Sequence, residues 1–166
     1  MRRLTETHHA HNEADMRQNA LLFLLILLVA TAGCEPAETE PAQVWFIQPT
    51  EGDTVEGPHV DVILGASGVE ITSADIHEPG TGHHHIFVNT DLTPLEDTIP
   101  DGVPGILHLG RGQTEFEVRD LEPGQNRFIA VIADWNHIPL DPPAVDTVHF
   151  TVVAPEDPSD EEDPQG

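Results

Sequence analysis

An all-β fold of antiparallel sandwich type is predicted for residues 44–153, on three observations. Short apolar runs recur along that stretch, separated by clusters of Gly, Pro, Asn and Asp. Several runs alternate between apolar and polar residues with the period of two that gives a strand its two faces. Beyond Cys34, no window of eleven or more residues carries an apolar stripe at helical spacing.

The elements follow in order. "VWFIQP" (44–49) is a short strand, and "GDTVEGP" (52–58) is a turn-rich connection into "HVDVILGAS" (59–67). There Val60, Val62 and Leu64 alternate with His59, Asp61 and Ile63. "HHHIFVN" (83–89), "QTEFEVRDL" (113–121), "NRFIAVIAD" (126–134) and "VDTVHFTVV" (145–153) complete the set. In the third of these, Phe128, Ala130 and Ile132 point opposite to Ile129, Val131 and Ala133, and both sets are apolar, as in a central strand. Six to eight strands at this spacing argue for two sheets packed face to face, of immunoglobulin-like type. One connection stands apart: residues 90–105, "TDLTPLEDTIPDGVPG", have no periodic pattern, and so long a loop in a compact domain is usually functional. It leaves the three histidines and returns at "ILHLGRG", so it is placed to cap whatever they form.

Composition marks the edges. The run Ala20–Ala32 is uncharged but only thirteen residues long, short of the roughly 20 that cross a bilayer as a helix. It reads as the core of a signal peptide over residues 1–33. The preceding stretch mixes acids with its basic residues, whereas a leader starting at Met16 carries Arg17 alone. Met16 is therefore the more natural start, and His8, His9 and His11 receive no functional role. "TAGC" then sets small residues before Cys34, the single cysteine, and resembles a bacterial lipobox, with Thr31 where leucine is commoner. Lipidation of Cys34 is expected, which would anchor an exported domain to a membrane at the cell envelope, facing periplasm or exterior. A lone buried thiol is the other reading of Cys34. Residues 34–43 read as an acidic flexible tether, and 154–166, "APEDPSDEEDPQG", as a disordered acidic tail.

The charge is extreme. The chain has a formal net charge of −24 and no lysine; from Cys34 onward its only cations are Arg111, Arg119 and Arg127. Such a surface repels nucleic acid and anionic headgroups, which excludes nucleic-acid binding and leaves the lipid anchor as the membrane contact. Another envelope protein remains a possible partner, and the sequence says nothing of oligomeric state.

The chemistry concentrates in histidine. On a strand, His83 and His85 share one face with Phe87, while His84 shares the other with Ile86 and Val88. A His-x-His pair on one face brings two imidazoles within reach of one ion. His108 lies between Leu107 and Leu109, an apolar setting that favours the neutral, metal-binding form. His137 sits in "DWNHIPLDPP" (134–143), stiffened by Pro139, Pro142 and Pro143. His83, His85, His108 and His137 are thus the candidate ligands of a divalent transition metal, Cu(II) or Zn(II). His84, Asp134, Glu115 and Gln113 are candidates for orienting those ligands or replacing one. Each histidine has a second reading, as a hydrogen-bonded core or turn residue, and His84 is the one that reading fits best. His59, His77 and His149 read as surface or strand positions.

No methionine or second cysteine follows Cys34, so soft coordination of Cu(I) cannot be built within the domain. Asp91, Glu96, Asp97 and Asp101 match no EF-hand spacing. There is no G-x-S-x-G elbow, phosphate loop or H-E-x-x-H, and no catalytic residue is assigned. Three readings stay open: a metal-binding domain, a structural or partner-binding envelope domain, and a small metal-dependent enzyme with Asp134 or Glu115 as base.

"TGHHHIFVN" (81–89), "HLGRGQTE" (108–115), "LEPG" (121–124) and "ADWNHIPLDPP" (133–143) occur in an order and spacing that resembles an exported bacterial family, domain of unknown function 4399. The resemblance covers most of residues 44–153 and implies no activity. Members often carry further histidines where this chain has Ile106 and Leu140. A site built on those two would be incomplete here.

The charge yields the first prediction. Self-repulsion acts over about 10 Å at 0.1 M salt and about 3 Å at 1 M. The melting temperature should therefore climb between low and molar NaCl, as in a salt-adapted protein. A flat or falling curve would show that the acidic surface exacts no stability cost.

Overall fold

The structure is a computed structural model that describes residues 40–155. The expected leader, Cys34, most of the tether and all of the tail beyond residue 155 lie outside the described residues. Among the described residues the fold is all-β, and no helix is long and apolar enough to cross a membrane.

Nine strands form. They are β1 (Gln43–Gln48), β2 (Thr54–Glu56), β3 (Val60–Ser67), β4 (Glu70–Ile71), β5 (Thr81–Val88), β6 (Ile106–Leu109), β7 (Glu115–Val118), β8 (Gly124–Ala133) and β9 (Val145–Val153). One sheet has the order β1-β3-β7; the other runs β2-β9-β8-β5-β4, with β6 also paired to β5. Most pairs are antiparallel, but β2 runs parallel to β9 and β4 parallel to β5. β2, β4 and β6 were not expected as strands. The first two have three and two residues, too short to show a period, and they exist because long neighbours offer them a free edge. The expected strand 113–121 contracts to β7, since Gln113 and Thr114 turn the chain and Asp120 takes a positive φ of 59°.

Both sheets bury their facing sides in one core. Val60, Val62 and Leu64 of β3 and Val118 of β7 pack with Ile86 of β5, Phe128, Ala130 and Ile132 of β8, and Phe150 of β9. Phe128 meets Phe150 edge to face, with ring centres 4.8 Å apart. The alternation foreseen for residues 60–64 is what the structure uses, with Val60, Val62 and Leu64 buried and Asp61 exposed.

The larger sheet has a second buried side. On it Phe87, Ile129, Val131 and Ala133 are covered by Ile99 from the loop after β5, with Leu92 and Ile106 at the margin. β8 lies between β5 and β9 and is buried on both faces, so its apolar residues run without alternation. The long loop is stitched down at both ends. Arg127 holds its start through the Thr90 carbonyl and the Asp91 carboxylate, each at 2.8 Å. Val88 donates to the Gly105 carbonyl at 2.7 Å where the chain returns.

Candidate metal centre

β5 is the strand that carries the site. It pairs with β8 in the register His83↔Ala133, His85↔Val131, Phe87↔Ile129, and with β6 in the register His85↔His108, Phe87↔Ile106. Cross-strand partners share a face, so His83, His85 and His108 all rise from the outer side of the larger sheet. His84 goes the other way, into the main core beside Ile86.

The fourth imidazole comes from above the sheet. After β8 the chain makes a tight loop in which Asp134 accepts from the backbone N–H of Asn136 at 2.8 Å and of Ile138 at 3.0 Å. The Asp134 backbone closes the loop by donating to Ile138 and accepting from His137, both at 2.9 Å. This arrangement holds His137 at φ 61°, a left-handed conformation that histidine adopts more readily than most residues. Its carbonyl accepts from Ile99 N–H at 2.8 Å, which joins the loop to the long connection. His137 is thereby fixed over the three histidines of the sheet.

The four side chains converge. One ring nitrogen from each of His83, His85, His108 and His137 lies within 4.8 Å of the others. His83 and His85 are 1% and 0% exposed, while the His108 side chain retains 24%. A single hydrogen bond links the set, between the Nε2 atoms of His85 and His83 at 3.0 Å. Two further ring nitrogens, Nδ1 of His85 and Nε2 of His108, are buried without a protein partner. Burial, reinforced by the neighbouring imidazoles, drives the pKa of His83 down to about 4 and that of His85 to about 2. His108 is lowered for the same two reasons, against an opposing pull from Asp101. At neutral pH these imidazoles are uncharged, which is the form with a free lone pair for a metal.

The donor set fits such an ion. Two nitrogens bound to one tetrahedral ion at about 2.05 Å stand about 3.3 Å apart, close to the His83–His85 contact. Four imidazole nitrogens suit Zn(II) or Cu(II) and offer nothing to a hard cation that requires oxygen.

The other expected participants are placed differently. His84 Nδ1 donates to the Gln113 carbonyl at 3.2 Å, so it ties the start of β7 to the core and takes no part in the cluster. The Gln113 side chain accepts from Arg111 N–H at 2.7 Å and shapes the turn. Glu115 is exposed on β7 of the other sheet, paired with Ile63, and has no access to the four histidines. Asp134 adjoins them: its charge acts on His83, but both its oxygens are engaged in the loop. Of the remaining histidines, His77 stacks on Trp135 with ring centres 5.7 Å apart, and His149 lies on β9 beside Glu51.

Three contributors escaped the sequence reading. Ile99 is wholly buried beside the site, although its loop shows no periodicity. Asp101 in the same loop brings a carboxylate oxygen to 3.9 Å from His108 Nδ1. Gly110 is needed because a Cβ there would stand 2.3 Å from His108 Nε2. Its position two residues after a histidine in an apolar strand was the only available signal.

With the geometry in place, the chain can be compared with known proteins. No curated protein matches it. Among solved structures it is similar to the endo-beta-1,4-mannanase from Thermotoga petrophila, at 16% identity and a TM-score of 0.42 over 72% of this chain and 21% of that one. It is also similar to an engineered protein from a structural genomics consortium, at 12% identity and a TM-score of 0.39 over 71% and 21%. The chain spans about a fifth of the length of each. Similarity at that level carries no argument about fold or activity. The model of the family described as Domain of unknown function (DUF4399) matches residues 62–153, a span that contains all four converging histidines. The chain belongs to that family.

Proposed function

We propose that this protein binds a divalent transition metal, Zn(II) or Cu(II), through His83, His85, His108 and His137. In this reading it is an exported lipoprotein, held at the cell envelope by a lipid on Cys34 and carrying its site on a β-sandwich of immunoglobulin-like type. The observation that supports metal binding is the shortage of hydrogen bonds within a cluster of four imidazoles. A cluster serving only to pin loops together would satisfy its buried nitrogens, because each unpaired one costs about 1–3 kcal/mol. Here one bond joins the four rings, and Nε2 of His108 keeps no partner. A shared ion would gather the lone pairs that the hydrogen bonds do not use. An enzyme has less support, since Asp134 is spent on its loop and Glu115 lies on the other sheet.

A bound ion should stabilise the fold by about 2.7 kcal/mol at a hundredfold excess over its Kd, equivalent to a melting-temperature rise on the order of 10 °C. Zn(II) or Cu(II) added at pH 7 to untagged, metal-free protein should produce this rise. His83→Ala and His108→Ala should each remove most of it, and His149→Ala should leave it unchanged. Equal responses from the three variants and the parent would place the ion elsewhere.

Acid should act on the metal-free protein through the same rings. Unfolded histidine takes up a proton near pH 6.5, whereas folded His83 resists until about pH 4 and His85 until about pH 2. Above pH 6.5 both states are neutral and the two groups exert no pH effect. As pH falls from 6.5 to 4 the unfolded chain binds more protons than the folded one, so stability declines. Relief of the acidic repulsion works in the opposite direction, so the informative quantity is the parent's urea midpoint minus that of His85→Gln. That difference should shrink on going from pH 7 to pH 4, and a constant difference would contradict the buried, neutral state of His85.

The anchor has its own test. Cys34→Ala should convert a protein that partitions into detergent into an unprocessed or soluble one. A variant that is cleaved and still partitions with membranes would remove the lipid from the proposal.

A further inference from the structure

We infer that the four histidines form a closed tetrahedral site of the kind Zn(II) prefers, with no coordination position left for water or substrate. The inference rests on the metal-binding reading above and adds to it the shape of the site, and hence the class of ion and what the ion can do there.

The shape is read from the rings. Their six centre-to-centre separations are 4.8 Å for His83–His85, 4.9 Å for His83–His108, 5.1 Å for His83–His137, 5.0 Å for His85–His108, 5.3 Å for His85–His137 and 4.5 Å for His108–His137. An imidazole bound at about 2.05 Å has its ring centre about 3.2 Å from the ion, so four of them at tetrahedral corners stand about 5.2 Å apart on every edge. In a square plane the same rings would give four separations of about 4.5 Å and two diagonals of about 6.4 Å. No pair approaches the diagonal value.

The backbone explains why the set is not planar. Three rings rise from one sheet face, two of them two positions apart on β5 and the third across the ladder on β6. The fourth descends from the loop after β8, and its ring stands at 65–73° to each of the other three. A triangle with an apex is a tetrahedron. Flattening it would require His137 to enter the plane of the other rings. The loop is held against that movement by the two backbone N–H groups bound to Asp134 and by the Ile99 N–H on the His137 carbonyl. Cu(II) favours square-planar or tetragonal ligation and is poorly served, whereas Zn(II), with a filled d shell, loses nothing in a tetrahedral site. Four protein nitrogens also complete the coordination number of a structural zinc site, while a catalytic site keeps one position open. The ion is therefore held and not used to activate water.

Co(II) reports the geometry directly. Metal-free full-length protein loaded with one equivalent of Co(II) should show the strong visible absorption of a four-coordinate ion, and an equivalent of Zn(II) should abolish it. His137→Ala removes the apex and should cost most of that absorption while Co(II) is still taken up through the remaining three rings. Cu(II) in the parent should give an electron paramagnetic resonance spectrum with a reduced parallel hyperfine splitting, as expected for a site that cannot flatten. A pale six-coordinate Co(II) spectrum, or an ordinary tetragonal Cu(II) signal, would overturn the closed tetrahedron and leave metal binding intact. Failure of the parent to take up Co(II), Zn(II) or Cu(II) would remove the binding reading and this inference together. The spectra of the parent require no substitution, so a misfolded variant cannot obscure the result.

Discussion

The backbone ladder β6-β5-β8 is the constraint on which the rest depends. β5 is buried along almost its whole length, and its register against both neighbours decides which way every side chain faces. A slip of one residue would turn Ile86 outward and send His83 and His85 into the hydrocarbon core. The apolar residues on both sides of β8 prevent that slip, because Phe128, Ala130 and Ile132 belong to one core and Ile129, Val131 and Ala133 to the other. The same apolar contacts that hold the sheets together thus aim the imidazoles.

Placing imidazoles there is costly. His83 and His85 are taken almost wholly out of water, with other imidazoles as near neighbours, and desolvation strips them of charge. What is left is a group of rings joined by one hydrogen bond, a state that the proposed ion would relieve. His84, on the opposite face, has another role: its Nδ1 donates to a backbone carbonyl and ties β7 to the core, while its Nε2 is buried without a partner. Adjacent residues of one type carry different chemistry because the strand alternates.

The acidic surface bears on the same site. With a formal net charge of −24, the molecule concentrates cations around itself, and Asp101 brings a carboxylate to the edge of the cluster. The cluster contains no carboxylate of its own, so under the proposed function the field of the whole molecule would supply attraction and the four imidazole nitrogens the selectivity. The loops over the larger sheet serve both ends. Ile99 seals the outer core, and its backbone N–H holds the His137 carbonyl above the other rings.

Much of this was legible along the chain, because hydrophobic period is a local property. The alternation in residues 60–64, the two-sided apolar run at 128–133 and the opposition of His84 to His83 and His85 each follow from a period of two, whatever the strands pair with. The short strands β2 and β4 were not legible, since residues so few have no period and take their conformation from a neighbour's edge. Nor was the role of Gly110, whose missing side chain matters only once His108 leans over it. The sequence by itself determined which histidines were candidates to ligate a metal, that His108 stands in apolar surroundings, and that β5 would split its three histidines between two faces. Tertiary structure alone decided that His137, fifty-two residues after His85, meets the other three. That meeting depends on the local turn held by Asp134 and on strand register, which arises from pairings between segments that the order of residues does not specify.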